Sequence, residues 1–594
     1  MIQEKSCGAV VYRVENKQRL YLIEHMKLGH ISICKGHVEN NETEVETAMR
    51  EIKEETNIDV EVDTRFRETT IYSPYEGILK EVVYFVAKAL SNTLINQECE
   101  VSGLEWVPID QAIEAMTYKD DKLVLAKADA YLTQLENKIR TIITQDAEVD
   151  DQNSLRHFLF YSNEVDLQGI IQTSSKFHHK GNDTIEPHRW TGTKWMNEVI
   201  DDYEKDYPNL LKYSPFYPTP DYLRSITKIG NIEDVSEMEK ETEGSRLIKK
   251  HILDDDPRKL YIQVWGGTNT IAKALKDLEE EYKDNWEQMY QKIVSKVVLT
   301  ACGEQDDTYR NYIAESYPDL PFIKTFQLRS YAYAWFITPE GESKDCLRAK
   351  FMKEEILNKP SYLIQKYCTW LDGNYYEGEE ENSQFGADPD IVDKWFGVEF
   401  FNHPHIEKYD FLSEGDSPTY FALFNWGLRT LEDFGYGGFS GRYIKADNEF
   451  NSKGQPLNYY LPCTDEYLSK DGKAYQEESM FRYVEDIQKD FASRIDWASY
   501  GKGEKQPFLR VVEGCDLTAK AGERLSIHTL SNDSITYRIY QEASSVQRAE
   551  LVVEDTTASI MIPEDAQTGD TLHIIVQAKK NQLTHYQQII ITVK

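Results

Sequence analysis

The chain has 594 residues, with 40% hydrophobic, 28% charged and 12% aromatic content. That is the composition of several ordinary globular domains, and it excludes both a single small fold and wholesale disorder. Lys+Arg 67 against Asp+Glu 102 leaves a net charge of −35, a field that repels a phosphate backbone and argues against duplex nucleic acid, though not against small phosphorylated substrates at a site where a bound divalent cation inverts the local sign.

In chain order, β-rich runs at Cys7 to Tyr12, Leu20 to Glu24 and Val82 to Ala89 surround a helical stretch, Glu44 to Thr56, with a second helical region after Asp110. This α+β region predicts a first domain over residues 1–137. A strand, Ile139 to Thr144, then opens an alternation of strand and helix signals that runs past residue 300, as in a parallel sheet covered by helices. It predicts a second domain over 138–505. Beyond Pro507 the helical signal ends, and runs at Arg524 to Thr529, Ile535 to Tyr540, Leu551 to Glu554, Leu572 to Ala578 and Gln588 to Val593 have the spacing of an all-β sandwich, over 506–594. The acidic stretch Glu377-Gly378-Glu379-Glu380-Glu381-Asn382 reads as a solvated loop. No apolar run is long enough for a membrane helix, Met1 to Lys5 carries no secretion signal, and eight scattered cysteines without a CxxC pair read as reduced thiols. A cytoplasmic protein is expected.

The first chemical motif is helical. Thr43 with Glu46 makes a capping-box pattern, and Asn57 can take the left-handed conformation that closes a helix. Glu51, Glu54 and Glu55 then stand at i, i+3 and i+4, so three carboxylates share one face and repel unless a cation neutralises them. Oxygen ligands on a rigid helix suit Mg²⁺ or Mn²⁺. A solvated acidic face is the alternative.

The spacing Gly36, Glu42, Arg50-Glu51-Ile52, Glu54-Glu55 and Ile58 resembles the Nudix box, with Asn57 where the family has glycine. The resemblance implies an α/β/α sandwich that hydrolyses nucleoside diphosphates linked to another group. It also implies metal binding by Glu51, Glu54 and Glu55, Glu54 being counted with the catalytic groups, and an orienting role for Arg50. Lys35 to Glu39 and Lys80 to Ala87 are similar to the diadenosine tetraphosphate hydrolase branch, which implies substrate contacts for Lys35, Lys80 and Tyr84 and a general base at Glu100. Residues without a ligand role would instead make Tyr84 a packed strand residue, Lys80 a strand-end charge and Glu100 a loop acid.

A second acidic motif, Thr144-Gln145-Asp146-Ala147-Glu148-Val149-Asp150-Asp151, sits at a strand-to-helix junction, the end of a parallel sheet where ligands bind. Carboxylates buried together there need a cation such as Ca²⁺ or Mg²⁺; otherwise the segment is a polar loop in which Asp150 and Asp151 cap a helix. The motif resembles the D-T-D-P-G-x-D-D turn of nucleoside hydrolases, with Thr144 in place of the first Asp and Ala147-Glu148 in place of Pro-Gly. Gly266 to Ala272 resembles that superfamily's G-P-L-T-N-x-A segment, which implies a substrate contact at Asn269. Glu414-Gly415-Asp416 supplies a late Asp. Together with the β-rich tail, the chain beyond residue 140 resembles a family joining a nucleoside-hydrolase-like domain to a C-terminal immunoglobulin-like domain, some members of which are described as cellulose-binding.

The resemblance implies a metal, Ca²⁺ in the first place, held by Asp146, Asp150, Asp151 and Asp416, with Asp146 among the catalytic groups. Trp190, Trp195, Trp265 and Tyr217 are candidates to stack on sugar or base, with core packing as the alternative, and His178, His179 and His188 read as a solvated loop or a proton donor. The expectation is a Nudix pyrophosphohydrolase fused to an N-glycosidic hydrolase, with a nucleotide or nucleoside as the small-molecule partner. The rival is a Nudix enzyme fused to a non-catalytic module that takes a glycan such as cellulose. A nucleotide sensor on a degenerate Nudix fold is disfavoured by the intact glutamates.

Overall fold

The computed structural model describes residues 2–594 except 40, 92, 98, 375, 377–405, 425 and 555. The acidic stretch Glu377 to Asn382 therefore lies outside the described residues. The N-terminal region is built on a mixed sheet of β1 (Ile2–Glu15), β2 (Gln18–Met26), β3 (Ile31–Ser32), β4 (Lys35–His37), β5 (Val60–Tyr72), β6 (Ile78–Ala89) and β7 (Val101–Val107). Its order is β3-β2-β1-β6-β5, with β4 on β1 and β7 on β2, and the central β1–β6 pair is parallel. Strand periodicity sends alternate side chains to opposite faces. Val83, Phe85 and Ala87 pack under helix α1 (Glu44–Thr56) with Ala48 and Ile52, while Val82, Tyr84 and Val86 face α2 (Ile109–Ala115) and α3 (Lys119–Glu136). The result is a helix–sheet–helix sandwich.

The next region forms an eight-stranded sheet from β8 (Ile139–Gln145), β9 (Val165–Gln172), β10 (Thr227–Ile229), β11 (Leu260–Val264), β12 (Val297–Ala301), β13 (Phe322–Lys324), β14 (Tyr443–Lys445) and β15 (Tyr459–Pro462), ordered β10-β9-β8-β11-β12-β13-β15-β14. Every pairing is parallel except the edge strand β14. Helices α4 (Val149–Leu159), α5 (Trp195–Tyr213), α7 (Glu243–Leu253), after the short α6 (Pro220–Ile226), α8 (Asn269–Glu281) and α9 (Trp286–Lys296) contribute to the two apolar layers that cover the sheet. The chain runs outward from β8 to β10 and then returns to start β11 on the other side of β8. That reversal opens a crevice at the carboxyl ends of β8 and β11, where open parallel sheets bind ligands.

The C-terminal region is strand-rich. Two four-stranded sheets, one containing the strands Arg524–Leu530 and Thr557–Met561 and the other Thr571–Lys580 and Leu583–Val593, share a core of Ile527, Ile560, Ile574, Val576, Ile589 and Ile591. Tyr586 donates to Asp486 at 2.5 Å, and Arg510 bridges back to Asp129 (2.9 Å) and Asp110 (2.8 Å) of the N-terminal region. Among the described residues, no helix is long and apolar enough to cross a membrane.

Candidate functional sites

In α1, Thr43 caps the helix reciprocally with Glu46, and Asn57 closes it at φ 61° with its N–H on Lys53 O. The box carboxylates are then gathered by one cation. Arg50 forks onto Glu42 (2.7 and 3.0 Å), reaches Glu51 (2.9 Å) and Glu54 (3.1 Å), and donates to the His37 carbonyl at 2.9 Å. It thereby ties the Gly36–Glu42 loop to the helix. The Arg50 hydrogen bonds hold Glu42 down at about 2. Gly36 is required by contact: a Cβ there would lie 1.9 Å from the Glu51 carboxyl carbon. Glu51 is half-buried and its carboxyl is pushed up by burial and by the charges of Glu54 and Glu100, which brings Glu100 within electrostatic reach of the box.

Glu55 turns inward to Glu24 of β2, and both carboxyls are pushed up, by burial first. One oxygen of each, Glu24 Oε1 and Glu55 Oε2, has no hydrogen-bond partner, and ligand atoms of Glu24, Cys34 and Glu55 fall within 4.8 Å of one another. Orphaned buried carboxylate oxygens beside an acidic helix face fit a divalent cation, the kind Nudix enzymes generally use. Lys35 contacts the Ser32 hydroxyl and the Ile33 carbonyl, while Lys80 is pushed down by burial and by the neighbouring Lys35 charge, so these two cations lie near each other. The substrate role for Tyr84 is corrected. Its side chain is fully buried in the layer under α3, and its hydroxyl donates to Asp121 at 3.0 Å. Its ring is unavailable to a ligand.

At the crevice of the second sheet, Asp146, Glu148, Asp150, Asp151 and Asp416 come together, each less than a tenth exposed. Ala147 takes φ 78°, a left-handed conformation that costs a β-carbon residue energy and is held by the surrounding turn. Gln152 Nε2 supports the Ala147 carbonyl at 3.1 Å, and Asp151 accepts from the Asp146 N–H at 3.1 Å. Gly266, after β11, abuts the other side: a Cβ would sit 2.8 Å from that of Asp146. Asp416 arrives on a loop whose Glu414 is locked by His157 (2.7 Å), Tyr367 and Ser417. Burial and mutual repulsion push Asp150, Asp151 and Asp416 upward. Both carboxylate oxygens of Asp146 and of Asp416 lack hydrogen-bond partners. Five buried acids with four orphaned oxygens are a set that could hold a divalent cation.

Thr144, where nucleoside hydrolases have the first Asp, donates to the Gln263 carbonyl at 3.2 Å and adds no carboxylate to the cluster. The solvated-loop reading is corrected for His178, while His188 is exposed. His178 is buried, with a ligand atom within 4.8 Å of those of Asp146 and Glu148, whereas His179 and His188 pair across a β-bridge. Asn269 is corrected as a substrate contact: Nδ2 donates to Ser174 (2.8 Å) and the Asn231 carbonyl (3.0 Å), and Oδ1 accepts from Thr173 (2.5 Å) and the Thr270 N–H (3.0 Å). Its amide is spent inside the fold. Trp265 and Tyr217 are core residues, with donors on Thr419 and the Phe160 carbonyl, while Trp190 and Trp195 line a cavity. Sequence reasoning left Glu24, Cys34, Glu148 and His178 out of the ligand sets. Glu148 stood in the acidic motif and His178 in the histidine group without a ligand role, and Glu24 left a trace as an acid ending an apolar strand run.

A family model described as cellulose-binding Sde182, nucleoside hydrolase-like domain, matches residues 140–443, and a NUDIX domain model matches residues 5–128. The asymmetrical bis(5′-nucleosyl)-tetraphosphatase of Caenorhabditis elegans is 30% identical over 132 residues, 22% of this chain and 96% of that protein. A Mycobacterium tuberculosis protein named in the mutator class is 27% identical over 137 residues, 23% of this chain and 52% of that protein, so the chain spans about half of its length. Among solved structures, a nucleoside hydrolase-related hypothetical protein from Saccharophagus degradans, described as associated with carbohydrate metabolism, shares the fold. Its TM-score is 0.55 at 22% identity, covering 77% of this chain and 100% of that one. The chain therefore belongs to the Sde182 nucleoside-hydrolase-like family and carries a Nudix hydrolase domain ahead of that unit.

Proposed function

We propose that the protein is a metal-dependent pyrophosphohydrolase whose N-terminal domain, residues 1–137, cleaves the phosphoanhydride of a dinucleoside polyphosphate or nucleoside-diphosphate derivative. The carrying observation is the Arg50 fork that draws Glu42, Glu51 and Glu54 onto one point beside Glu55. Glu51, Glu54 and Glu55 would hold Mg²⁺ or Mn²⁺, which supplies charge neutralisation for the phosphates and acidifies water. Arg50 fixes the box carboxylates in place; Glu100 accepts the proton of the attacking water, whose oxygen bonds to phosphorus as the bridging P–O bond breaks. Lys35 and Lys80 take the charge of the phosphate oxygens.

Residues 138–505 are read as a second metal-dependent hydrolase acting on an N-glycosidic bond, and 506–594 as an immunoglobulin-like sandwich. Asp146, Asp150, Asp151 and Asp416 would hold the cation, Ca²⁺ in the first place, which again acidifies water. Asp146 would take the proton as the water oxygen bonds to the anomeric carbon and the base leaves with the C–N electron pair. The orphaned oxygens of Asp146 and Asp416 support this reading. The glycan-binding alternative draws on the cellulose-binding description of the family and on Trp190 and Trp195 at a cavity. A reducing, cytoplasmic setting is supported by eight cysteines, none in a disulfide.

The test is incubation of the whole protein with a nucleotide panel and Mg²⁺ or Ca²⁺, with products separated by mass. Glu54→Gln, about half-exposed and outside the core, should abolish phosphoanhydride cleavage and preserve base release. Phosphoanhydride cleavage at the wild-type rate in that variant would remove the assignment of the helix.

A further inference from the structure

A cavity of about 930 Å³ opens beside the first turns of α4. Although the chain carries −35 overall, its wall gathers Arg156, Lys180, Lys194 and Lys366 against one carboxylate, Glu198. Arg156 is neutralised by Asp202 at 3.2 Å, and Lys366 faces Glu198 at 3.7 Å. Among the described residues, no carboxylate forms an ion pair with Lys180 or Lys194. Lys180 feels the charge of Glu233, and four cations against one lining carboxylate at a concave site in an acidic protein concentrate an anion there.

The same wall offers the ring of Trp190, a surface on which a base or sugar stacks, with Trp195 packed behind it in the core. One lining residue leads toward the acidic centre: Gln152 follows Asp151 and props the Ala147 carbonyl in the turn that carries Asp146 and Glu148. Lys180 stands two residues beyond His178, whose ring lies beside Asp146. An anionic end, a flat ring and proximity to a water-activating centre describe one ligand class.

We propose that this cavity is a nucleoside monophosphate site, with the phosphate on Lys180 and Lys194 and the glycosidic bond toward the acidic centre. Hydrolysis of a nucleoside-diphosphate derivative at its phosphoanhydride yields that class of molecule, so the second site consumes what the Nudix domain releases. This rests on the N-glycosidic reading above. The step adds the water oxygen to C1′, breaks the C1′–N bond with its electron pair passing to the base, and delivers a water proton to the base nitrogen through Asp146. The products are ribose 5-phosphate and free base.

Calorimetry on the full chain with adenosine 5′-monophosphate, adenosine and cellopentaose, each with Ca²⁺, tests the assignment. The monophosphate should bind at least about 10-fold more tightly than adenosine, and the Lys180→Ala/Lys194→Ala pair should weaken it by about 10- to 100-fold while leaving adenosine affinity unchanged. Hydrolysis of a dinucleoside tetraphosphate by the same double variant should match wild type, which separates the cavity from the Nudix site. Equal affinity for monophosphate and nucleoside, or monophosphate binding indifferent to the two lysines, overturns the proposal, as does binding of cellopentaose alone. Lysine-dependent monophosphate binding without release of free base keeps the cavity assignment and removes the N-glycosidic reading.

Discussion

Replacing Asp416 with Asn tests the buried acidic centre most directly. Asp416 is 1% exposed, both of its carboxylate oxygens lack hydrogen-bond partners, and its neighbours Asp146, Asp150 and Asp151 are acids as well. Asn keeps the volume and removes one charge. Without a divalent ion the substitution relieves repulsion, so the variant should melt at or above the wild-type temperature in EDTA. With the ion the order reverses. A cation at about 100 times its Kd stabilises the native state by about 2.7 kcal/mol, which for a domain of this size raises Tm by roughly 3–4 °C. Loss of one charged ligand weakens the site by about 10- to 100-fold, or about 1.4–2.7 kcal/mol, and removes at least half of that rise. The assay is thermal unfolding of both proteins in EDTA, CaCl₂ and MgCl₂, with Glu51→Gln as the control for cations bound at the Nudix helix. A wild type whose melting ignores Ca²⁺ and Mg²⁺ in the Glu51→Gln background refutes the reasoning, as does an Asp416→Asn protein with an undiminished cation response.

Gly36→Ala puts a methyl group 1.9 Å from the Glu51 carboxyl carbon, so that ligand must move; kcat/KM for phosphoanhydride cleavage should fall by about 100-fold with little change in stability. Tyr84→Phe should cost about 1 kcal/mol in urea unfolding by removing the 3.0 Å bond to Asp121. It should leave KM unchanged, and a raised KM would restore Tyr84 as a substrate contact. Burial holds the His573 imidazole down at about 4, below an unfolded value of about 6.5. Between those values the unfolded chain binds more protons, so stability is full above about pH 6.5 and is lost as pH falls through about 4. Urea midpoints of the C-terminal region should follow that fall, and His573→Gln should flatten it.

Local chemistry was legible in the residues themselves. Helix α1 runs from Glu44 to Thr56 because Thr43, Glu46 and Asn57 supply its caps within one turn of each end, and that register puts Glu51, Glu54 and Glu55 together whatever surrounds them. The Asp146–Asp151 turn was legible for the same reason, since its acids lie a few residues apart at the end of one strand. Whether a side chain faces ligand or core was decided elsewhere. Tyr84 and Phe85 differ by one step of strand alternation, and only the layers covering each face determine that Tyr84 meets Asp121 rather than solvent. Asn269 looked like a site residue until the loops bearing Ser174 and Asn231 closed on its amide. Glu24 reaches Glu55, and Asp416 and His178 reach Asp146, because of strand order and loop return in the two sheets. Hydrogen-bonded caps and helical register act over about four residues, so the sequence carries them outright; convergence of distant acids depends on which strand lies beside which, and only the packed sheets decide it.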